Sequence, residues 1–222
     1  MGGSGQAMIG LLIWRELTVI SRTGGYWMAM AVHIVLLAAV VLIWSDRIPV
    51  LDGTFLDQAV AVQTAVLSIV LPWAAVRCGG TDHDGGPALL AATIATRPSR
   101  VVLAKCVGLS AALAAIVMSG LPLAILAQQV SALPRLRVPL DMLPLVALSS
   151  FAAAVSTATL LWPVNRLARW CVATAATAGA AYWAPSGAIS TMVFLGVGLI
   201  GSLVVSLSAD SSLRYLPDCH AG

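Results

Sequence analysis

Charge is what this sequence has least of. Asp, Glu, Lys and Arg together make up 9% of its 222 residues, against roughly 25% in an ordinary soluble domain. So few charges cannot cover the surface of a water-soluble fold of this size, which excludes a purely aqueous protein. The formal net charge is only +3, so nucleic-acid binding has no electrostatic footprint. Cysteine is sparse and scattered: Cys78, Cys106, Cys171 and Cys219 contain no CxxC pair, so neither a disulfide scaffold nor a zinc site is spelled out. Asp82-His83-Asp84 and Cys219-His220 are single adjacent groups with no second cluster. Adjacent residues rarely converge on one ion, and no metal site is expected. A Gly-x-x-x-x-Gly-Lys-Ser/Thr loop is also missing, so the chain has no such cradle for ATP phosphates.

What is present is apolar. Residues of the AVILMFWYC set reach 59%, with a mean hydropathy of +0.95. A helix needs about 20 mostly apolar residues to cross a ~30 Å hydrocarbon core. That ruler gives spans near 26–45, 58–76, 102–128, 142–162, 168–184 and 189–208, an all-α membrane protein of six transmembrane helices. The fifth, rich in Ala and Thr, is the least apolar and suits packing against protein, because small side chains let helices approach closely. With the N-terminus inside, the inner segments hold Arg15, Arg22, Arg77, Arg97, Arg100, Lys105, Arg166, Arg169 and Arg214; the outer ones hold Arg47, Arg135 and Arg137. This bias places both termini in the cytoplasm. Trp27, Trp44, Trp162, Trp170 and Trp183 fall near span ends, as an aromatic belt requires.

Two segments outside the spans stand out. Residues 1–6, Met-Gly-Gly-Ser-Gly-Gln, read as a tag remnant or disordered tip, leaving 7–222 as one transmembrane domain. Residues 7–23 place Met8, Leu12 and Val19 on one helical side and Arg15, Thr18 and Arg22 on another, the pattern of an amphipathic helix lying in the inner interface. Gly24-Gly25 is a natural break before the first span. Between spans two and three, Cys78 to Pro87 carries turn chemistry. Asp84 is placed to cap a short helix whose first turn suits Pro87. Ala88 to Ala95 would form that helix, and Arg97-Pro98-Ser99-Arg100 ends it.

This order of elements resembles the permease subunit of an ABC transporter of the ABC-2 (type V exporter) family, from about Met8 to Ser208. Trp14-Arg15-Glu16-Leu17, then Arg22 and Tyr26-Trp27, is similar to the family's elbow helix. Leu89-Leu90 followed by Thr96-Arg97-Pro98-Ser99-Arg100-Val101-Val102-Leu103-Ala104-Lys105 is similar to its coupling helix and the start of span three. Asp82 stands where the family has Glu, and Gly85-Gly86-Pro87 replaces a Gly-Thr. The small size and Gly120-Leu121-Pro122-Leu123 also resemble the haem-exporter permease of cytochrome c maturation (CcmB type).

The resemblance implies a multi-pass protein of the inner or plasma membrane that works with a separate ABC ATPase subunit, which carries ATP and Mg, and with a second permease copy or paralogue. Arg15, Glu16 and Arg22 on the elbow and Asp82, Asp84, Leu89, Leu90, Arg97 and Arg100 around the loop helix would meet that ATPase. Spans nearly free of ionisable groups suit an apolar or amphiphilic cargo: a lipid, a peptide or a drug-like molecule. His33 is the exception within a span and so a pointer either to the pathway or to a packed, satisfied histidine. Two other classes share parts of the pattern. One is a membrane anchor or assembly subunit without transport. The other, an intramembrane enzyme, needs a Ser–His or Asp–Asp pair at membrane depth, and the sequence spells out no partner for His33.

Overall fold

The computed structural model describes residues 3–45, 53–79, 98–123, 125, 137–160 and 166–183. The long regular elements among them are six α-helices: α1 (Gly3–Ser21), α2 (Gly24–Ser45), α3 (Gly53–Gly79), α4 (Pro98–Met118), α5 (Arg137–Leu160) and α6 (Arg166–Trp183). No strand occurs among the described residues. The region expected to hold the last span (189–208) and the coupling-helix residues Asp82, Asp84, Leu89, Leu90 and Arg97 lie outside them.

Two segments are long and apolar enough to cross a membrane, Val60–Cys78 in α3 and Ser99–Leu123 along α4. Met8–Ser21 and Gly24–Val40 make a third if the bent pair counts as one span. Leu143–Thr159 of α5 is a shorter apolar stretch. The structure thus carries two to three candidate spans. α6, expected as the fifth span at 168–184, does not join them; it is rich in Ala and Thr and the least apolar of the expected spans.

α4 lies at the centre. It packs on α5 and α1 and touches α3 and α2; α3 in turn packs on α5, α6 and α2. The core is a heptad-like interleaving of aliphatic side chains: Leu67 and Leu71 of α3, Leu109, Leu113 and Ile116 of α4, and Leu145 and Leu148 of α5 are all buried. Ala74, Ala75, Ala112, Ala152 and Ala153 fill the remaining contacts, small enough to bring the backbones together. Outside this core the surface is oily. Trp27, Met28, Val35, Leu42 and Ile43 of α2 are all exposed, an apolar run larger than water tolerates on a monomer and natural against hydrocarbon.

Two boundaries differ from those expected. α1 begins at Gly3, inside the segment read as a disordered tip, because extending an existing helix backwards costs far less than nucleating one. The break between α1 and α2 is Arg22-Thr23 rather than Gly24-Gly25, which open α2. Thr23 closes α1 with its hydroxyl on Ile20 O at 2.7 Å and its amide on the same oxygen at 3.0 Å. Trp27 Nε1 donates to Ser21 O at 2.7 Å. These bonds take up carbonyls that a helix end leaves free, and the chain turns by 69°.

Candidate functional site

Two constellations of buried polar side chains lie against α4. The first lies near its N-terminal end, where α1 crosses. The buried line of α1 is Leu12, Glu16 and Ile20, residues four apart and hence on one face. Met8 and Val19, expected on that face, are only half-buried. Glu16 is 6% exposed, and its Cβ sits against Gly108, where an added Cβ would come within 2.9 Å. Gly108 is therefore the notch that lets α1 approach. Arg15, beside it in sequence and half-exposed, donates from Nη1 to Glu16 Oε1 at 3.1 Å. Lys105, one turn before Gly108, is 3% exposed.

The elbow residues therefore divide. Glu16, expected to offer a polar contact to a partner subunit, is packed into its own chain, because the glycine notch admits its methylenes while Arg15 neutralises its head. Arg22 is exposed at the bend and Arg100 is half-buried at the start of α4. The C-terminal end of α3 reaches the same place. Thr23 Oγ1 lies 3.3 Å from Cys78 Sγ, the Arg77 side chain packs over Gly25, and its guanidinium lies 5.8 Å from the Trp73 ring centroid, a cation–π contact. The bend is thus clamped to the end of α3 just before residues 80–97.

The second constellation surrounds His33, which is 1% exposed. Gln63 Nε2 lies 3.1 Å from His33 Nε2. An amide nitrogen donates only, so the ring nitrogen accepts and the imidazole proton resides on Nδ1. Nδ1 faces Ser119 Oγ at 3.4 Å, and Ser119 in turn donates to Ile116 O at 2.6 Å. The chain of donors is consistent from Gln63 through His33 to the α4 backbone, with no buried group left over. Counting from the Thr23–Cys78 contact, His33 is ten residues along α2 and Gln63 fifteen along α3, about 15 and 22 Å at 1.5 Å per residue.

α4 stops at this point. Its last regular residue is Met118, a turn follows at Ser119-Gly120, and three helical residues come after. A Cβ on Gly120 would come within 2.8 Å of Leu37 and 2.9 Å of His33. The interrupted end of α4 is therefore pressed onto α2 and α3 where only glycine fits. His33 is a packed, satisfied histidine in this arrangement. The Ser–His proximity that the sequence did not spell out is present, with Ser119 donating its own proton to Ile116 O.

Gln63, Ser119 and Gly120 were not singled out beside His33 in the sequence. Gln63 alone had a usable signal, as an amide inside an otherwise apolar stretch. Among the described residues no group of three His, Cys, Asp or Glu side chains is placed to hold a metal ion. Comparison with protein-family models, with curated proteins and with solved structures finds no match to this chain.

Proposed function

We propose that this chain is the membrane-spanning subunit of an ATP-driven exporter of ABC-2 type, paired with a separate ATPase and with a second permease subunit. The observation that supports this most is the clamped bend. α1 leaves α2 at 69°, lies on the basic end of α4, and is tied through Thr23, Gly25 and Cys78 to the last turn of α3. A first helix lying flat at the inner interface, and an α3 end rigidly joined to it, would receive a push delivered to residues 80–97 and pass it to α2 and α4.

In this reading the chain has six spans, with the sixth at 189–208, both termini in the cytoplasm of a cell bound by its inner or plasma membrane, and a coupling helix at 84–96. Leu89 and Leu90 fill an apolar cleft on the ATPase, while Asp82, Asp84, Arg97 and Arg100 make its polar contacts. Arg22 is the elbow residue left free to join them. ATP and Mg stay on the partner, and this chain supplies no catalysis. The pathway lies between two permease subunits and alternates between inward-closed and outward-open states. His33, spent on Gln63 and Ser119, positions helices rather than touching cargo. The cargo is apolar or amphiphilic, because no uncompensated charge lines the described spans.

The test is co-purification from native membrane in mild detergent, with mass spectrometry of the bound proteins. Recovery of a stoichiometric ATPase subunit, lost in a Leu89→Asp, Leu90→Asp variant that keeps its elution profile, is the expected result. A chain recovered alone, whose presence changes no ATPase rate on reconstitution, would overturn the reading and favour a simple anchor.

A further inference from the structure

A glycine inside a helix is less favourable than an alanine, and on α4 a close neighbour accounts for it. A Cβ on Gly108 would lie 2.9 Å from that of Glu16. Gly179, in the body of α6, has no such guest: a Cβ added there would meet nothing within 4 Å. Cys171 and Ala175 precede it at four-residue spacing, and all three are exposed, so they line one face of α6. Ala173 and Thr177, which turn the other way, are 0% exposed where α6 packs on α3 and α5. Gly10 is equally open, but the residue four further along α1 is the exposed Trp14, not a small side chain.

Lipid suits this face poorly. α6 is not among the helices apolar enough to cross a membrane, and small side chains at this spacing instead let a second helix come close. The chain itself supplies one. The described residues end at 183. The apolar stretch at 189–208, free of Asp, Glu, Lys and Arg, follows after five residues, Ala184 to Ala188. A connection so short joins antiparallel neighbours. With α3 and α5 holding the other side of α6, this face is the one open to it.

We propose that residues 189–208 form a helix seated antiparallel on the Cys171–Ala175–Gly179 face of α6. The short connection sets Phe194 level with Gly179, Gly198 with Ala175 and Ser202 with Cys171, to within about one residue. The Phe194 ring fills the notch at Gly179, and Gly198 and Ser202 let the backbones close up beside Ala175 and Cys171. A second copy of the chain competes poorly for this face, since a short linker holds the tethered helix at an effective concentration of roughly millimolar. This packing rests on the sixth span proposed above and not on transport itself. It places the contact with a second permease subunit elsewhere than on this face.

The test is disulfide formation in native membranes, with Cys171 kept and Cys78, Cys106 and Cys219 replaced by alanine. On oxidation Ser202→Cys should join Cys171 within one chain, because close packing brings the backbones within the ~4.4–6.8 Å that a disulfide spans. The linked peptides are read by mass spectrometry from the band of monomer size. Val204→Cys, two residues on and so on the far side of that helix, should give about tenfold less. The span is checked separately by Gly187→Cys and Asp210→Cys in a cysteine-free chain, which an impermeant thiol reagent should reach from opposite sides of the membrane. Opposite-side labelling without a cross-link would overturn the docking and leave the sixth span standing, whereas same-side labelling would overturn both. Cys171 linked between two chains would put a second copy on this face and overturn the proposal. Equal yields from Ser202→Cys and Val204→Cys would overturn the register.

Discussion

α4 admits a neighbour through a glycine at two places, and the two notches handle polarity in opposite ways. At Gly108, near the basic end, the guest is a carboxylate, Glu16, paired with the half-exposed Arg15. At Gly120, at the other end of α4, the guest is an imidazole whose nitrogens meet Gln63 and Ser119. The difference follows from the neighbours that each notch admits. Glu16 has the half-exposed Arg15 as counter-ion, whereas His33 is closed in by neutral partners, and a buried polar group is tolerated only when its hydrogen bonds are met. The same residue type therefore makes a hinge seat at one end and a locked junction at the other.

The sharpest way to break this contrast is at Gly120. Gly120→Val should cost about 3 kcal/mol or more, since Leu37 and His33 both stand within 3 Å of the added Cβ and His33 is held by Gln63 and Ser119; a large fall in melting temperature in detergent is expected. Next is His33→Leu, which strands the Gln63 amide and should cost about 1–3 kcal/mol. Adding Gln63→Leu should recover part of that loss, because removing both partners is far cheaper than removing one. If the double variant is as unstable as the sum of the singles, the closed network is not what holds these helices.

The Gly108 notch should respond less. Gly108→Ala should cost about 1 kcal/mol, because α1 lies at the edge of the bundle and can yield where α2 and α3 cannot. Glu16→Gln should be smallest, about 0.5 kcal/mol, since Arg15 is half-exposed and its pairing is screened. That increment should vanish between low and high salt, while the Gly120 and His33 effects persist. Equal salt sensitivity at both places would erase the distinction.

The contrast also marks what was legible in the sequence. Long apolar runs in a charge-poor chain gave the all-helical architecture and the positions of α2 to α6, because backbone satisfaction in lipid leaves few alternatives. The weak apolarity of α6 and a helix at 7–23 were legible for the same reason. The burial of Glu16 was not, because periodicity on α1 cannot reveal that α4 offers a glycine notch 92 residues later. His33 was noticed as the odd residue in its span, but its tautomer and its role depend on Gln63 and Ser119, which only packing brings to it.

The central claim is that these helices cross a membrane with the α1–α2 bend and the α3–α4 connection on the cytoplasmic side. It is tested most directly by labelling single cysteines with a membrane-impermeant thiol reagent, in a background with the four native cysteines replaced by alanine. Arg22→Cys and Ser99→Cys should react only in inside-out vesicles, and Leu51→Cys, just beyond α2, only in right-side-out ones. Reaction of all three from the same side would mean that α2 does not cross, and the account built on it would be wrong.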